Sequence, residues 1–156
     1  MRIAIATCRT LPEPDPDQDL LLAALGRAGV DAYLLPWDDP TATAAGADLC
    51  VIRSTWNYYA DLPGFLRWME GVAAATRLEN PLSLVRWNCR KTYLAELARR
   101  GVRIVPTEFV PRGERPDIGP MVARLSDDLV IKPTVSASSF ATRRFRPGQS
   151  DEASRY

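Results

Sequence analysis

The sequence predicts an α/β protein: a small layer built on a largely parallel sheet, then a second region of mixed α and β character. Three observations carry that expectation. Through the first half, short β-rich runs alternate with helical patterns, the order expected of a parallel sheet with crossover helices. After "NPLSLVRW" the pattern changes to a helix, a proline-interrupted β-rich run, a turn-rich connection and one last short strand. The chain has 156 residues, 46% apolar and 25% charged, a balance that suits a soluble globular protein of one domain or two small ones. The boundary is expected near 78–86, giving domains 1–82 and 83–156.

"RIAIATC" is the expected first strand, and the proline-rich acidic loop "LPEPDPDQD" leads into a helix from about Gln18. Gly29 is placed to stop that helix, because a glycine just past the last turn accepts a left-handed conformation. "VDAYLLPW" and "DLCVIRS" are the next strands. "LPGFLRWMEGVAAAT" reads as a helix from about Pro63, since proline suits a first turn. In the second region "NCRKTYLAELARRGV" is helical, with Leu94, Leu97 and Ala98 as its apolar stripe and Gly101 as its stop. "RIVPTEFV" is expected as an edge or bent strand around Pro106. "PRGERPDIGP" is a turn-rich connection, "MVARLSDD" a short helix and "LVIKP" a buried strand.

Composition excludes several kinds of function. A net charge of +1 gives no nucleic-acid or membrane footprint. "MRIAIATC" is too short for a signal peptide or a span, so the expected location is the cytoplasm. Cys8, Cys50 and Cys89 are odd in number and widely spaced, the pattern of small buried apolar residues rather than of disulfides or a zinc site. The absence of histidine removes Ser-His-Asp and Cys-His catalysis and histidine metal ligation. The first glycine is Gly26, well inside a helix, which rules out a glycine-rich phosphate cradle after the first strand.

Two features point to a ligand. "RSTWNYY" stands at the carboxyl end of the third strand, the edge where open α/β sheets bind ligands. There Arg53 can fork onto a carboxylate, Ser54, Thr55 and Asn57 can orient polar groups, and Trp56 and Tyr58 can wall a pocket. The alternative is that the aromatics seal the sheet's end and Arg53 pairs with a structural acid. The second feature is a count. Of twenty basic residues, only Lys91 and Lys132 are lysine. A lysine is a compact point charge on a flexible stem, suited to a phosphate oxygen. Lys91 falls near a helix start, and Lys132 falls at a strand end before the hydroxyl-rich "SASS".

"NCRKTYLAELARRGVRIVPT" and "LVIKP" together resemble the ATP-grasp superfamily, in which a helix-borne lysine precedes a strand ending in Pro-Thr and a second lysine follows as "[VI]-[VI]-K-P". With "RSTWNYY" and "NPLSLVRWNCRK" the likeness is strongest to the glutathione-synthetase-like branch, which includes D-cycloserine ligases and ribosomal-protein glutamate ligases. The resemblance implies a pre-ATP-grasp Rossmann-like parallel-sheet domain followed by the first α+β lobe of an ATP-grasp domain. It implies ATP-dependent joining of a carboxylate to an amine through an acylphosphate, with ATP and Mg2+ as cofactors. Lys91 and Lys132, with Ser136, Ser138 and Ser139, would hold phosphates, and residues 53–58 would face the acceptor substrate. Only 24 residues follow Lys132, and the family's second lobe, with its adenine hinge and magnesium carboxylates, would lie beyond them. The metal ligands are therefore expected outside this chain. The chain is expected to be a truncated gene product, a fragment, or one part of a split enzyme completed by a second-lobe chain. The alternative function is a non-catalytic α/β small-molecule-binding module, and self-association into a homo-oligomer is a further expectation.

Overall fold

The computed structural model describes residues 1–125, 128–146 and 148–156. The chain divides into two compact units, Met1–Cys89 and Arg90–Tyr156.

In the first unit, β1 (Arg2–Thr7), β2 (Asp31–Pro36), β3 (Leu49–Ser54) and β4 (Arg77–Glu79) form one sheet in the order β2-β1-β3-β4. All three pairings are parallel. The central strand β1 is buried from Ile3 to Thr7, as an interior strand covered on both faces should be. Ala4, Ala6, Leu35, Ala44, Cys50 and Val72 form one core cluster. The alanines of β1 leave room there for the larger side chains of neighbouring elements. Helix α1 (Gln18–Arg27) ends as expected at Gly29, whose φ of +74° lets the N–H of Val30 reach back to the carbonyl of Leu25 at 3.0 Å. A 3-10 turn, Tyr58–Asp61, leads into α2 (Leu62–Ala75). Asp61 caps α2 by accepting from the Gly64 N–H at 2.9 Å, and Pro63 occupies the first turn. Leu62, Phe65, Met69 and Val72 form the buried stripe of α2 at helical spacing. Helix α3 (Leu82–Asn88) packs on α2, so the division falls after α3 rather than before it.

In the second unit, α4 (Tyr93–Arg99) closes at Gly101, φ +81°, with the N–H of Val102 on the carbonyl of Leu97 at 3.0 Å. Residues 103–110 form no strand, contrary to expectation. Pro106 has no N–H to donate, and the β-rich composition of this run is a preference for a paired, half-buried surface rather than a property of the backbone alone. Val105 is 80% exposed. Helix α5 (Ile118–Leu125) begins three residues ahead of the expected "MVARLSDD", whose residues 126 and 127 lie outside the described part. β5 (Leu129–Ile131) pairs antiparallel with β6 (Arg143–Phe145), and α6 (Ser150–Arg155) follows. β5 is not the fully buried strand expected: Leu129 is buried while Val130 is half exposed. Ile118, Met121, Leu129, Phe145 and Ala153 make this unit's core.

None of the three cysteines forms a disulfide and all three are buried, as their spacing predicted. Among the described residues no helix is long and apolar enough to cross a membrane.

Candidate functional site

The chain leaves β1 toward β2 on one side and reaches β3 on the other, so the carboxyl ends of β1 and β3 form the sheet's topological switch point, where such sheets bind ligands. The sequence makes this edge polar and closed to water: Thr7, Ser54 and Thr55 are all buried. The β1–β3 register shifts here. Ala6 opposes Ile52 and Thr7 opposes Ser54, which leaves Arg53 as the extra residue of a bulge. Arg53 Nη1 donates to Asp15 and also reaches Ser54 Oγ at 3.3 Å, while its Nη2 lies 3.9 Å from Asp17. Ser54 Oγ donates to the same Asp15 oxygen. The Asp15 side chain is only 3% exposed. Burial alone would raise its carboxyl, but the hydrogen bonds from Ser54 and Arg53 outweigh it and hold the group below the usual aspartate range. The Thr7 hydroxyl beside this cluster is buried with no hydrogen-bond partner, an uncommon state for a buried polar atom.

A cleft of about 250 Å³ opens at the carboxyl end of β3. Ile52, Phe65 and Val85 supply apolar lining, and Arg53, Thr55, Tyr58, Asn80 and Asn88 supply polar groups. Phe65 is fixed by ring contacts with Trp37, Tyr58 and Trp68 at centroid distances of 5.2, 5.6 and 5.8 Å. The Tyr58 hydroxyl points to the Cys89 carbonyl at 3.5 Å, and Asn80 donates to the Ile52 carbonyl at 3.0 Å. Of the six residues expected here, Arg53, Thr55 and Tyr58 line the cleft. Ser54 lies behind Arg53 on Asp15. Asn57 accepts from the Trp37 indole at 2.6 Å and donates to Asp38 at 2.8 Å, a brace between loops. Trp56 is half-buried and does not line the cleft. Arg53 pairs through Nη1 with a structural acid, Asp15, while the residue still lines the cleft. Asp15, Asn80 and Asn88 were missed. An aspartate in a proline-rich loop was the only signal for the first, and the two amides carried none.

The second unit brings the two lysines together. The backbone N–H of Lys91 donates to the Thr134 carbonyl at 2.7 Å, and its Nζ donates to the carbonyl and hydroxyl oxygens of Ser136 at 2.6 and 2.9 Å. Ser136 is buried. Burial, and then the nearby charge of Lys132, push the Lys91 ammonium below the usual lysine range. Lys132 itself is exposed and stands directly after the last residue of β5. Among the described residues neither lysine pairs with a carboxylate. Ser138 and Ser139 are exposed and left-handed, φ +47° and +56°, as is Ala141 at +47°. Asn, Asp and Gly are the usual occupants of that region, so this loop carries strain.

The Lys91 ammonium, held on the oxygens of Ser136 and disfavoured by the charge of Lys132, is a group that an anion would stabilise. Among the described residues no three His, Cys, Asp or Glu side chains gather into a cage that would hold a metal ion by protein ligands alone. A larger hollow of about 320 Å³, bounded by Phe109, Val110, Pro111, Pro116, Pro120 and Met121, is rimmed by Glu108, Glu114 and Asp117. Neither lysine lines it, and its acidic rim is a poor match for an anion.

Residues 3–80 match the family described as "D-cycloserine synthetase DcsG, N-terminal domain". The cycloserine biosynthesis protein DcsG of Streptomyces lavendulae is 33% identical over 151 residues, covering 91% of this chain and 49% of that protein. The crystal structure of D-cycloserine synthetase DcsG superposes with a TM-score of 0.85 at 31% identity, over 99% of this chain and 54% of the other. A RimK domain ATP-grasp protein from Sphaerobacter thermophilus shares the fold at a TM-score of 0.66 and 17% identity, over 98% of this chain and 58% of the other. The chain spans about half the length of these relatives. Its parallel four-stranded sheet followed by a small mixed unit is a partial ATP-grasp fold. The chain belongs to the family of the DcsG amino-terminal domain, within the ATP-grasp superfamily.

Proposed function

We propose that this chain provides the acceptor-side domain and the first nucleotide lobe of an ATP-dependent carboxylate–amine ligase. The observation that carries the reading is Lys91, held by its Nζ on the two oxygens of Ser136 and within reach of the charge of Lys132. In a chain that otherwise uses arginine for positive charge, its two lysines lie in one small unit without carboxylate partners among the described residues.

ATP, when bound, would transfer its terminal phosphoryl group to a carboxylate with release of ADP, and an amine attacking the resulting acylphosphate would expel inorganic phosphate. The chain's own residues bind and orient. Lys91, already pinned by Ser136, presents a fixed positive charge, while exposed Lys132 is free to follow a phosphate as its charge shifts. The loop with Ser136, Ser138 and Ser139 offers hydroxyls and backbone N–H groups to the same oxygens. The cleft of the first unit holds the acceptor substrate. A second lobe, as a further domain or a separate chain, supplies the metal-binding carboxylates.

Calorimetric titration of the purified chain with ATP, with and without magnesium, tests this. Lys91→Met and Lys132→Met are each expected to weaken binding by roughly tenfold to a hundredfold, the worth of one charge-assisted contact. Arg99→Met, on helix α4, is expected to change little, as exposed charges usually do. Equal losses from all three variants would show non-specific attraction and contradict the reading.

A further inference from the structure

The cleft of the first unit carries information about the charge of its ligand. Its one cationic lining group, Arg53, is matched from behind by buried Asp15 and approached by Asp17 at 3.9 Å. Among the described residues no lysine and no second arginine lines the cleft. The remaining polar groups that face it are neutral: the Thr55 and Tyr58 hydroxyls and the Asn80 and Asn88 amides, over apolar Ile52, Phe65 and Val85. An incoming carboxylate would have to compete with Asp15 for the guanidinium and would meet the charge of Asp17 as well. An amide or another neutral hydrogen-bonding group meets no such cost, and amide side chains pair with it as both donors and acceptors.

We propose that Asp15 is a specificity-determining residue that makes the cleft select a neutral, amide-like group on an apolar body and reject the isosteric carboxylate. Asp15 acts through Arg53 and does not itself touch the ligand. The assignment rests on the reading of this cleft as the acceptor-side pocket. It is independent of the lysines, which lie in the other unit, so a failure here leaves the nucleotide titration untouched.

The volume of about 250 Å³ corresponds to roughly eight waters at about 30 Å³ each, enough for a ring-sized fragment. The test uses two isosteric pairs, benzamide against benzoate and butyramide against butyrate, titrated into the full chain and followed by NMR. Wild-type protein is expected to bind each amide about tenfold tighter than its acid, with shifts at the side-chain amides of Asn80 and Asn88 and at the Thr55 N–H. Asp15→Asn is expected to shift that ratio about tenfold toward the acid. Asp17→Asn, at an exposed position that leaves folding intact, is expected to shift it the same way by less. Equal or tighter binding of the acids to wild type would overturn the proposal whether or not the Asp15 variant folds. An unchanged ratio in a folded Asp15→Asn protein would remove Asp15 from the assignment. No shift at the cleft with millimolar amide would show that the cleft is not a ligand site.

Discussion

The two units treat charge in opposite ways. In the first, the cation at the ligand edge is answered within the fold: Arg53 is held by Asp15 and Ser54 under a sheet edge closed to water. In the second, the Lys91 ammonium feels the charge of Lys132 and, among the described residues, is bonded to the oxygens of Ser136. An internal ion pair that is fully satisfied adds rigidity and leaves little charge for a visitor. A pair of like charges stores repulsion that an anion removes. On the proposals made above, the first unit takes a neutral ligand and the second a polyanion.

Packing differs in the same direction, and the largest expected effect breaks the molecule there. Phe65 is buried among three aromatic rings in the first unit, whereas Phe145 anchors a smaller cluster with Tyr156 at 5.7 Å. Phe65→Ala should cost about 3–5 kcal/mol of stability, and Phe145→Ala should fall toward the low end of that range because fewer buried groups surround it. Urea denaturation of each variant measures both. Equal costs would show that the second unit is as tightly packed as the first.

Next comes the ion pair. Arg53→Ala leaves Asp15 buried without its partner and should cost about 2–4 kcal/mol, less than the ~3–5 kcal/mol of a fully buried pair because Arg53 is partly exposed. The sign of the pH dependence follows from the depressed Asp15 carboxyl. Its contribution is complete above the ordinary aspartate range and is lost as pH falls through its lowered folded value. Without Arg53 the burial of Asp15 opposes its ionised form more strongly, so the variant should lose less stability on acidification than wild type does. Melting temperature measured from neutral to acidic pH separates the two curves.

Lys91 has the reverse sign. Its ammonium is disfavoured by folding, so the penalty is present at neutral pH and is relieved as pH rises through the lowered folded value. Nucleotide binding needs the protonated form. Affinity should therefore fall, as pH becomes alkaline, earlier than for a lysine of ordinary basicity, and Lys91→Met should lose that dependence along with roughly tenfold or more of its affinity.

The smallest effect concerns the strained loop. Ser138→Gly should stabilise the second unit by about 0.5–1 kcal/mol, since glycine reaches φ > 0 without a steric cost. A loss of stability would show that the serine's contacts outweigh its strain.

The elements legible in the sequence were those with a strong local cause. Gly29 and Gly101 end their helices as read, and the Leu62–Val72 stripe and the buried β1 run follow their apolar patterns. β4, β6 and α6 were missed because "RLE", "RRF" and "SDEASR" are short and charged, and pairing or packing rather than propensity sets them. The reverse failure is 103–110, where β-rich composition met a proline and formed no strand. In the candidate sites, a count of residue types singled out Lys91 and Lys132. Asp15 could not be told from its neighbours in "PEPDPDQD", because its role depends on a bulge in β3 that no local pattern announces.

The contrast between the units is tested most directly by titrating the full chain with ATP while following both units by NMR in one experiment. The account predicts shifts at Lys91, Lys132 and the 136–139 loop, with the signals of Arg53, Thr55 and Asn80 unmoved. Shifts centred on Arg53, or none at the two lysines, would contradict it.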